Sequence, residues 1–282
     1  MDLAAHPLAF SALLLAGSLT GLWLLSLPLR NASIVDACWG AAFALAAWGA
    51  TLAAGVPLAS PRTALALALV TLWAARLSLH LLIRNAGHGE DPRYAAMRRG
   101  HGARFWWVSL FTVFLLQAAL AWVISLPVQL AVLRGGPLGW LDGLAVLAFL
   151  VGFVFETVGD LQLTRFRADP GNRGRALDTG LWRYTRHPNY FGDALLWWGF
   201  GLLGVAAGAP WTLLAPVLMT FLLLKVSGVA LLEKDIAERR PAYRDYLERT
   251  SAFLPWFPRR ATSPPATPSP AHSSQSEAPR RM

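Results

Sequence analysis

Cysteine is almost absent: Cys38 stands alone among 282 residues, so neither an internal disulfide framework nor a multi-cysteine metal site is available. Charge is scarce too, at 15% of residues against 55% apolar, a balance that excludes both a disordered chain and an ordinary soluble enzyme. The His-Glu-x-x-His, P-loop and nucleophile-elbow signatures do not occur. No repeat of about 20 to 50 residues is visible, which leaves no support for a solenoid or an inverted-repeat transporter.

Apolar sequence fills the chain instead. Long runs cover residues 8–27, 34–56, 63–83, 105–133, 138–163, 190–207 and 211–232. At about 1.5 Å per helical residue, each can cross a hydrocarbon layer of about 30 Å. The first run follows Asp2 and His6 rather than the positive segment of a secretory signal, and is read as a span. The short uncharged break around Gly208 and Pro210 also allows its flanking runs to form one tight hairpin. The expectation is an all-α polytopic membrane bundle of about seven transmembrane helices over residues 1–258, with a cytoplasmic C-terminal helix. Residues 259–282, rich in Pro and Ser, offer too little apolar surface to offset ordering entropy and are expected to form a disordered tail.

The net charge of +9 sits in short segments between runs, which is how a multi-spanning protein marks its cytoplasmic face rather than how it binds nucleic acid. Arg84, Arg93, Arg98, Arg99 and Arg104 share one connection, the arginines from Arg165 to Arg186 another, and Lys234 to Arg260 follow the last run. The opposite connections carry little beyond Arg62 or Arg134. An odd number of spans then puts the N-terminus outside and the C-terminus in the cytoplasm. Membrane lipids and an anionic cofactor are the partners this charge suits.

Ionisable residues also lie inside the runs, where each costs about 2.5 to 3.5 kcal/mol on insertion scales. Asp36 opens the second run, and Arg76, His80 and Arg84 recur every four residues along one face of the third. Glu156 and Asp160 continue a face that begins at Gly152, and Lys225 interrupts the last run. Together the carboxylates and basic groups outline a polar cavity; ion pairing within the bundle, or snorkelling for Arg84 and Asp160, is the competing account. The stretch from Asp178 to Asp193 adds donors and aromatics just before a span. There Arg183 and Arg186 can fork onto phosphate oxygens, Tyr184 and Tyr190 can stack or donate, and Asn189 offers both an amide donor and an acceptor. His187 is either a loop hydrogen-bonder or a proton carrier, and the bland account of the whole stretch is an arginine-rich anchor with an aromatic belt. Gly199-Phe-Gly-Leu-Leu-Gly204 fits the dinucleotide pattern but lies inside a span without strand or acidic partner, so it is read as close helix packing.

The segment from Gly180 through Arg186-His187-Pro188-Asn189-Tyr190 to Asp193 resembles the cofactor signature of membrane sterol reductases. Glu233 with Tyr243-Arg-Asp-Tyr246 and Phe253-Leu-Pro-Trp-Phe-Pro258 is similar to their C-terminal signature. The segments Asn31 to Gly40 and Asn85 to Tyr94 resemble more specifically the bacterial and plant proteins of unknown function grouped with the steroid 5-alpha-reductase superfamily. The resemblance implies a membrane enzyme, expected in a bacterial inner membrane, that binds NADPH and reduces a carbon-carbon double bond in a lipid-soluble small molecule. It implies no metal, and no protein partner can be inferred. Carried over, Asn189 and Asp193 look like the pair beside the nicotinamide amide, Asp160 the ribose-binding acid and Arg167 the diphosphate-binding arginine. Arg76 approximates a family arginine on the third helix, and Glu233 and Tyr243 fall in the C-terminal signature. The tyrosine that polarises a steroid ketone falls on Trp73, and the family glutamate of the second helix has only Asp36 as a counterpart, which makes Asp36 the candidate acid. Isoprenylcysteine carboxyl methyltransferases share Arg-His-Pro and the C-terminal Glu with spaced tyrosines. Their positive S-adenosylmethionine suits the arginine excess around Arg165, Arg167, Arg183 and Arg186 less well than the polyanion NADPH does.

Overall fold

The computed structural model describes residues 6–226, Val229, Glu233 and residues 243–259, and every regular element among them is helical. Helices α1 (Pro7–Leu29), α2 (Ile34–Ala54) and α3 (Pro61–Asn85) come first, followed by α4 (Pro92–His101), α5 (Phe105–Ser109), α6 (Leu116–Ile124) and α7 (Leu126–Arg134). Helices α8 (Trp140–Ala168), α9 (Pro188–Ala206), α10 (Leu214–Phe221) and the short α11 (Arg244–Arg249) complete the described chain. The expected tail beyond Arg259 lies outside the described residues, as does most of the last run after Val226.

Local sequence sets these boundaries. Proline occupies the first position of α1, α3, α4 and α9, where its missing N–H breaks no helical bond and its fixed φ starts the helix. Asp91 caps α4 by accepting from the Arg93 backbone N–H at 2.9 Å. Gly55 closes α2 at φ +61°, a conformation that a side chain would strain.

Among the described residues, five helical stretches are long and apolar enough to cross a membrane: Pro7–Leu29, Ile34–Ala54, Pro61–Asn85, Pro92–Ile124 and Trp140–Ala168. This is the pattern of a multi-pass membrane protein. The structure corrects the fourth expected span. Its helix starts earlier, at Pro92, passes through a π turn at Leu110–Leu115, and ends at Ile124. Residues 126–134 form the separate α7, because Pro127 has no N–H to continue the ladder. Pro127 to Val132 are all buried, so this segment is interior rather than lipid-facing.

Helices α8 and α9 form the tightest pair, and glycine sets their separation. A Cβ on Gly152 would stand 2.5 Å from Gly192 O and Leu196 N, and one on Gly199 would stand 2.7 Å from Ala145 O. Gly152 and Gly159 on α8, like Gly192 and Gly199 on α9, are spaced by seven residues and keep one face of each helix smooth. Gly201 and Gly204 turn to other neighbours, Pro216 and Thr212, so the glycine pattern of this segment is helix packing. Above this interface the fully buried rings of Phe43, Trp73 and Trp197 contact one another edge-on or tilted, with centroids 4.8 to 5.3 Å apart.

Candidate functional site

The close approach of α8 and α9 brings their polar faces against α3. Arg76 on α3 reaches across with both terminal nitrogens: Nη1 donates to Glu156 Oε1 at 2.7 Å and Nη2 to Asp160 Oδ2 at 2.6 Å. Asn189 on α9 donates from Nδ2 to the other oxygen of Asp160 at 3.0 Å, and His80 Nε2 stands 3.5 Å from Asp160 Oδ2. Asp193, one turn beyond Asn189, feels the charges of Arg76, Asp160 and Glu156. Three carboxylates therefore share one guanidinium and one imidazole in the bundle interior.

Hydrogen bonding within this group is incomplete. Among the described residues, the buried side-chain atoms without a partner are Trp73 Nε1, Ser78 Oγ, Glu156 Oε2, Thr157 Oγ1, Asn189 Oδ1, Asp193 Oδ1 and Trp197 Nε1. All belong to α3, α8 and α9. Trp73 turns its indole toward Glu156 and Trp197 toward Asp193, yet neither completes a bond. Unpaired buried polar atoms each cost about 1 to 3 kcal/mol, so their concentration at one place makes this cluster the candidate site. Asn189, Tyr190 and Asp193 are only half-buried, and they lie in the first two turns of α9, the end near which Arg84 and Arg93 stand as neighbours of Tyr190.

Tyr190 joins this cluster to two others. Its ring stacks on His187 with centroids 5.6 Å apart, and its electrostatic neighbours are Arg84, Arg93, Asp160 and Asp193. On one side Asp36 accepts from Tyr94 OH at 2.7 Å and from Arg93 Nη2 at 2.8 Å, while Gln117 Nε2 donates to the Tyr94 oxygen at 3.2 Å. Asp36 thus pairs with neither Arg76 nor His80, because α4 brings Arg93 and Tyr94 to it. The sequence names Arg93 as a loop charge and Tyr94 as the end of a family-like segment but neither as a partner of Asp36, although Asp91-Pro92 is a helix start that puts both in the first turn. The turn is fixed further by Glu90, which takes two bonds from Arg98 and one from the Ala32 N–H. Burial alone would raise the Glu90 carboxyl, but those three donors hold it below its ordinary range.

On the other side lies Glu233, which receives Arg186 Nε at 2.7 Å, Arg186 Nη2 at 2.9 Å and His187 Nε2 at 2.9 Å. Burial pushes its carboxyl up, but the hydrogen bonds from His187 and Arg186 prevail and hold it at about 2. Arg186 also donates from Nη1 to Leu247 O and Thr250 O. The expected phosphate fork is therefore largely engaged in clamping the C-terminal segment onto the α8–α9 connection. Tyr243 packs edge-on against Tyr246, whose hydroxyl donates to Trp182 O at 2.6 Å in the same junction.

Arg183 and Tyr184 are exposed and turn away from the cluster. Arg183 lines a separate surface groove, and Tyr184 meets Phe257 edge-on at 6.0 Å. Arg167 belongs to the last turn of α8. Lys225 is exposed on a π turn after α10. No group of three or more His, Cys, Asp or Glu suited to a metal occurs among the described residues.

A helical membrane protein with a partly unsatisfied, acid-rich cluster near one end of the bundle is the class these features define. The chain belongs to the family described as protein of unknown function DUF1295, which matches residues 22–250. It is similar to an uncharacterized protein of Schizosaccharomyces pombe, at 30% identity over 271 residues that cover 83% of this chain and 75% of that protein. No solved structure matches the chain.

Proposed function

We propose that the protein is an integral membrane oxidoreductase of the steroid 5-alpha-reductase type, using NADPH to reduce a carbon-carbon double bond in a lipid-soluble substrate. The observation that carries this reading is the set of unpartnered atoms on α3, α8 and α9. Asn189 Oδ1 and Asp193 Oδ1 can accept from a carboxamide NH2, and an indole N–H of Trp73 or Trp197 can donate to a carbonyl oxygen, which matches the polar inventory of a nicotinamide. Asp160, anchored by Arg76 and Asn189, is available to a ribose hydroxyl, and Arg84 and Arg93 stand at the opening where a diphosphate would pass. When bound, NADPH supplies the hydride. The chain would hold the acceptor double bond against it, exclude water with the Phe43, Trp73 and Trp197 rings, and deliver a proton from the Asp36 side. Tyr94 donates its hydroxyl to Asp36 across 2.7 Å, and Arg93 keeps the carboxyl oriented. The substrate enters laterally between helices. In this reading about seven helices span the membrane, the N-terminus is outside, and the arginine-bearing end with its NADPH opening faces the cytoplasm.

One observation favours a second reading, an S-adenosylmethionine-dependent methyltransferase. Three carboxylates around Arg76 suit a sulfonium cation, and Arg186, which the sequence set against such a cation, is already matched by Glu233. Titration of the purified protein separates the two. Saturable enhancement of NADPH fluorescence, lost in Asn189→Ala, supports the reductase; binding of S-adenosylhomocysteine without NADPH binding replaces it with the methyltransferase.

A further inference from the structure

A groove of about 520 Å³ lies outside the cluster, between the segment that enters α9 and the C-terminal arm. Arg183, Arg249 and Arg259 line it with Asp178, which pairs with Arg249 at 2.5 Å. Three guanidinium groups against one carboxylate leave the groove cationic, and no side-chain partner engages Arg183 or Arg259 among the described residues. Its walls are fixed by two backbone bonds, Arg259 N to Arg249 O at 2.8 Å and Trp256 N to Tyr184 O at 2.9 Å, and by the Thr185 hydroxyl, which donates to Phe253 O at 2.8 Å. On this pinned backbone Leu254, Trp256 and Phe257 point outward with 65%, 72% and 76% of their surface exposed. Large apolar side chains held rigidly in the open beside arginines, on a segment tied through Tyr184 and Thr185 to the entry of α9, have the composition of a headgroup-level anchor.

We propose that this groove binds the phosphate of an anionic phospholipid, with Trp256 and Phe257 inserted among the adjoining acyl chains. The arginines fork onto the phosphate oxygens as charge-assisted donors, and the aromatic side chains supply the contact that a soluble phosphate lacks. The site would fasten the C-terminal arm to the membrane surface. It stands independently of the proposed reductase chemistry, since none of its lining residues touches the Arg76 cluster.

Native mass spectrometry of the full chain tests this, with phosphatidylglycerol titrated against phosphatidylcholine, and inorganic phosphate and NADPH as soluble competitors. Saturable retention of phosphatidylglycerol over phosphatidylcholine is expected, undiminished by millimolar phosphate or by NADPH. Each arginine replaced should weaken it about fivefold, so Arg183→Gln with Arg259→Gln loses about 25-fold. The corresponding double Lys variant keeps the charge but not the fork and should recover only part of the affinity, and Trp256→Ala with Phe257→Ala weakens retention while sparing the charge selectivity. Equal retention of both lipids, an unaffected double Gln variant, or displacement by phosphate or NADPH overturns the proposal; the last result would make the groove a site for soluble anions.

Discussion

Arg76 on α3 and Asp160 on α8 meet at 2.6 Å in the interior of the bundle, although 84 positions separate them in the chain. The same guanidinium binds Glu156 one turn earlier on α8, so a single side chain ties α3 to the polar face of the α8–α9 pair. Everything proposed for the cluster depends on that tie, because it fixes Asp160 for Asn189 and leaves Asp193 and the two indoles without partners.

Removing the tie should be expensive. Arg76→Leu strands buried carboxylates and is expected to lower stability by about 3 to 5 kcal/mol, measured by thermal or denaturant unfolding in detergent. Adding Glu156→Gln should recover part of the loss. An Arg76→Leu protein as stable as the parent would show that the cluster is hydrated well enough to need no counter-charge.

The α8–α9 contact depends on glycine at named positions. Gly152→Ala or Gly192→Ala should destabilise by about 1 to 3 kcal/mol through overpacking, since each Cβ would run into the backbone of the other helix. Gly143→Ala on the same α8 meets nothing within 4 Å and should be neutral or slightly stabilising in the same unfolding assay. Equal effects at the two kinds of site would contradict this packing.

The clamp on the C-terminal arm has a defined pH window. The Glu233 carboxyl titrates at about 2 in the folded protein against an ordinary value of 4.5, so its stabilisation is complete above about pH 4.5 and is lost as pH falls from there toward 2. Hydrogen exchange of residues 243–259 should therefore accelerate between pH 4.5 and 3 beyond the intrinsic change in exchange rate. Glu233→Gln should already be deprotected at pH 6 and show no such step. A step of the same size in the variant would assign it to another group.

Much of the fold was legible because membrane helices announce themselves by apolar length, and the residues of the cluster because a charge inside a span needs a reason. Arg76, Glu156 and Asp160 could be named from helical spacing, and the structure joins them. Their pairing across α3 and α8 could not be read, since it joins positions 80 and 84 apart and is a property of how two helices are placed rather than of one periodic pattern. Proline at position 127 was the available sign that residues 105–133 do not form one helix, but apolar continuity concealed it. Arginine content misled for the same reason: counting Arg186 as a free cation overlooks Glu233, 47 positions away, and the carbonyls of Leu247 and Thr250.

Asp36 is the position where structure and proposed chemistry can be separated. Asp36→Asn loses its ion pair with the half-exposed Arg93 but keeps an acceptor for Tyr94, so stability should fall by only about 1 kcal/mol or less. NADPH binding should be kept and turnover lost. A large loss of stability with turnover retained would assign Asp36 a purely structural role.

The central claim is hydride transfer to a lipid-soluble double bond, and product mass tests it most directly. Purified protein in lipid nanodiscs, supplied with NADPH and a total lipid extract, should yield a species heavier by two hydrogens than its precursor, absent without NADPH and absent in Asp193→Ala. Deuterium at the transferable nicotinamide position should place one deuterium in that product. A product gaining a methyl group only with S-adenosylmethionine, and none with NADPH, would contradict the account.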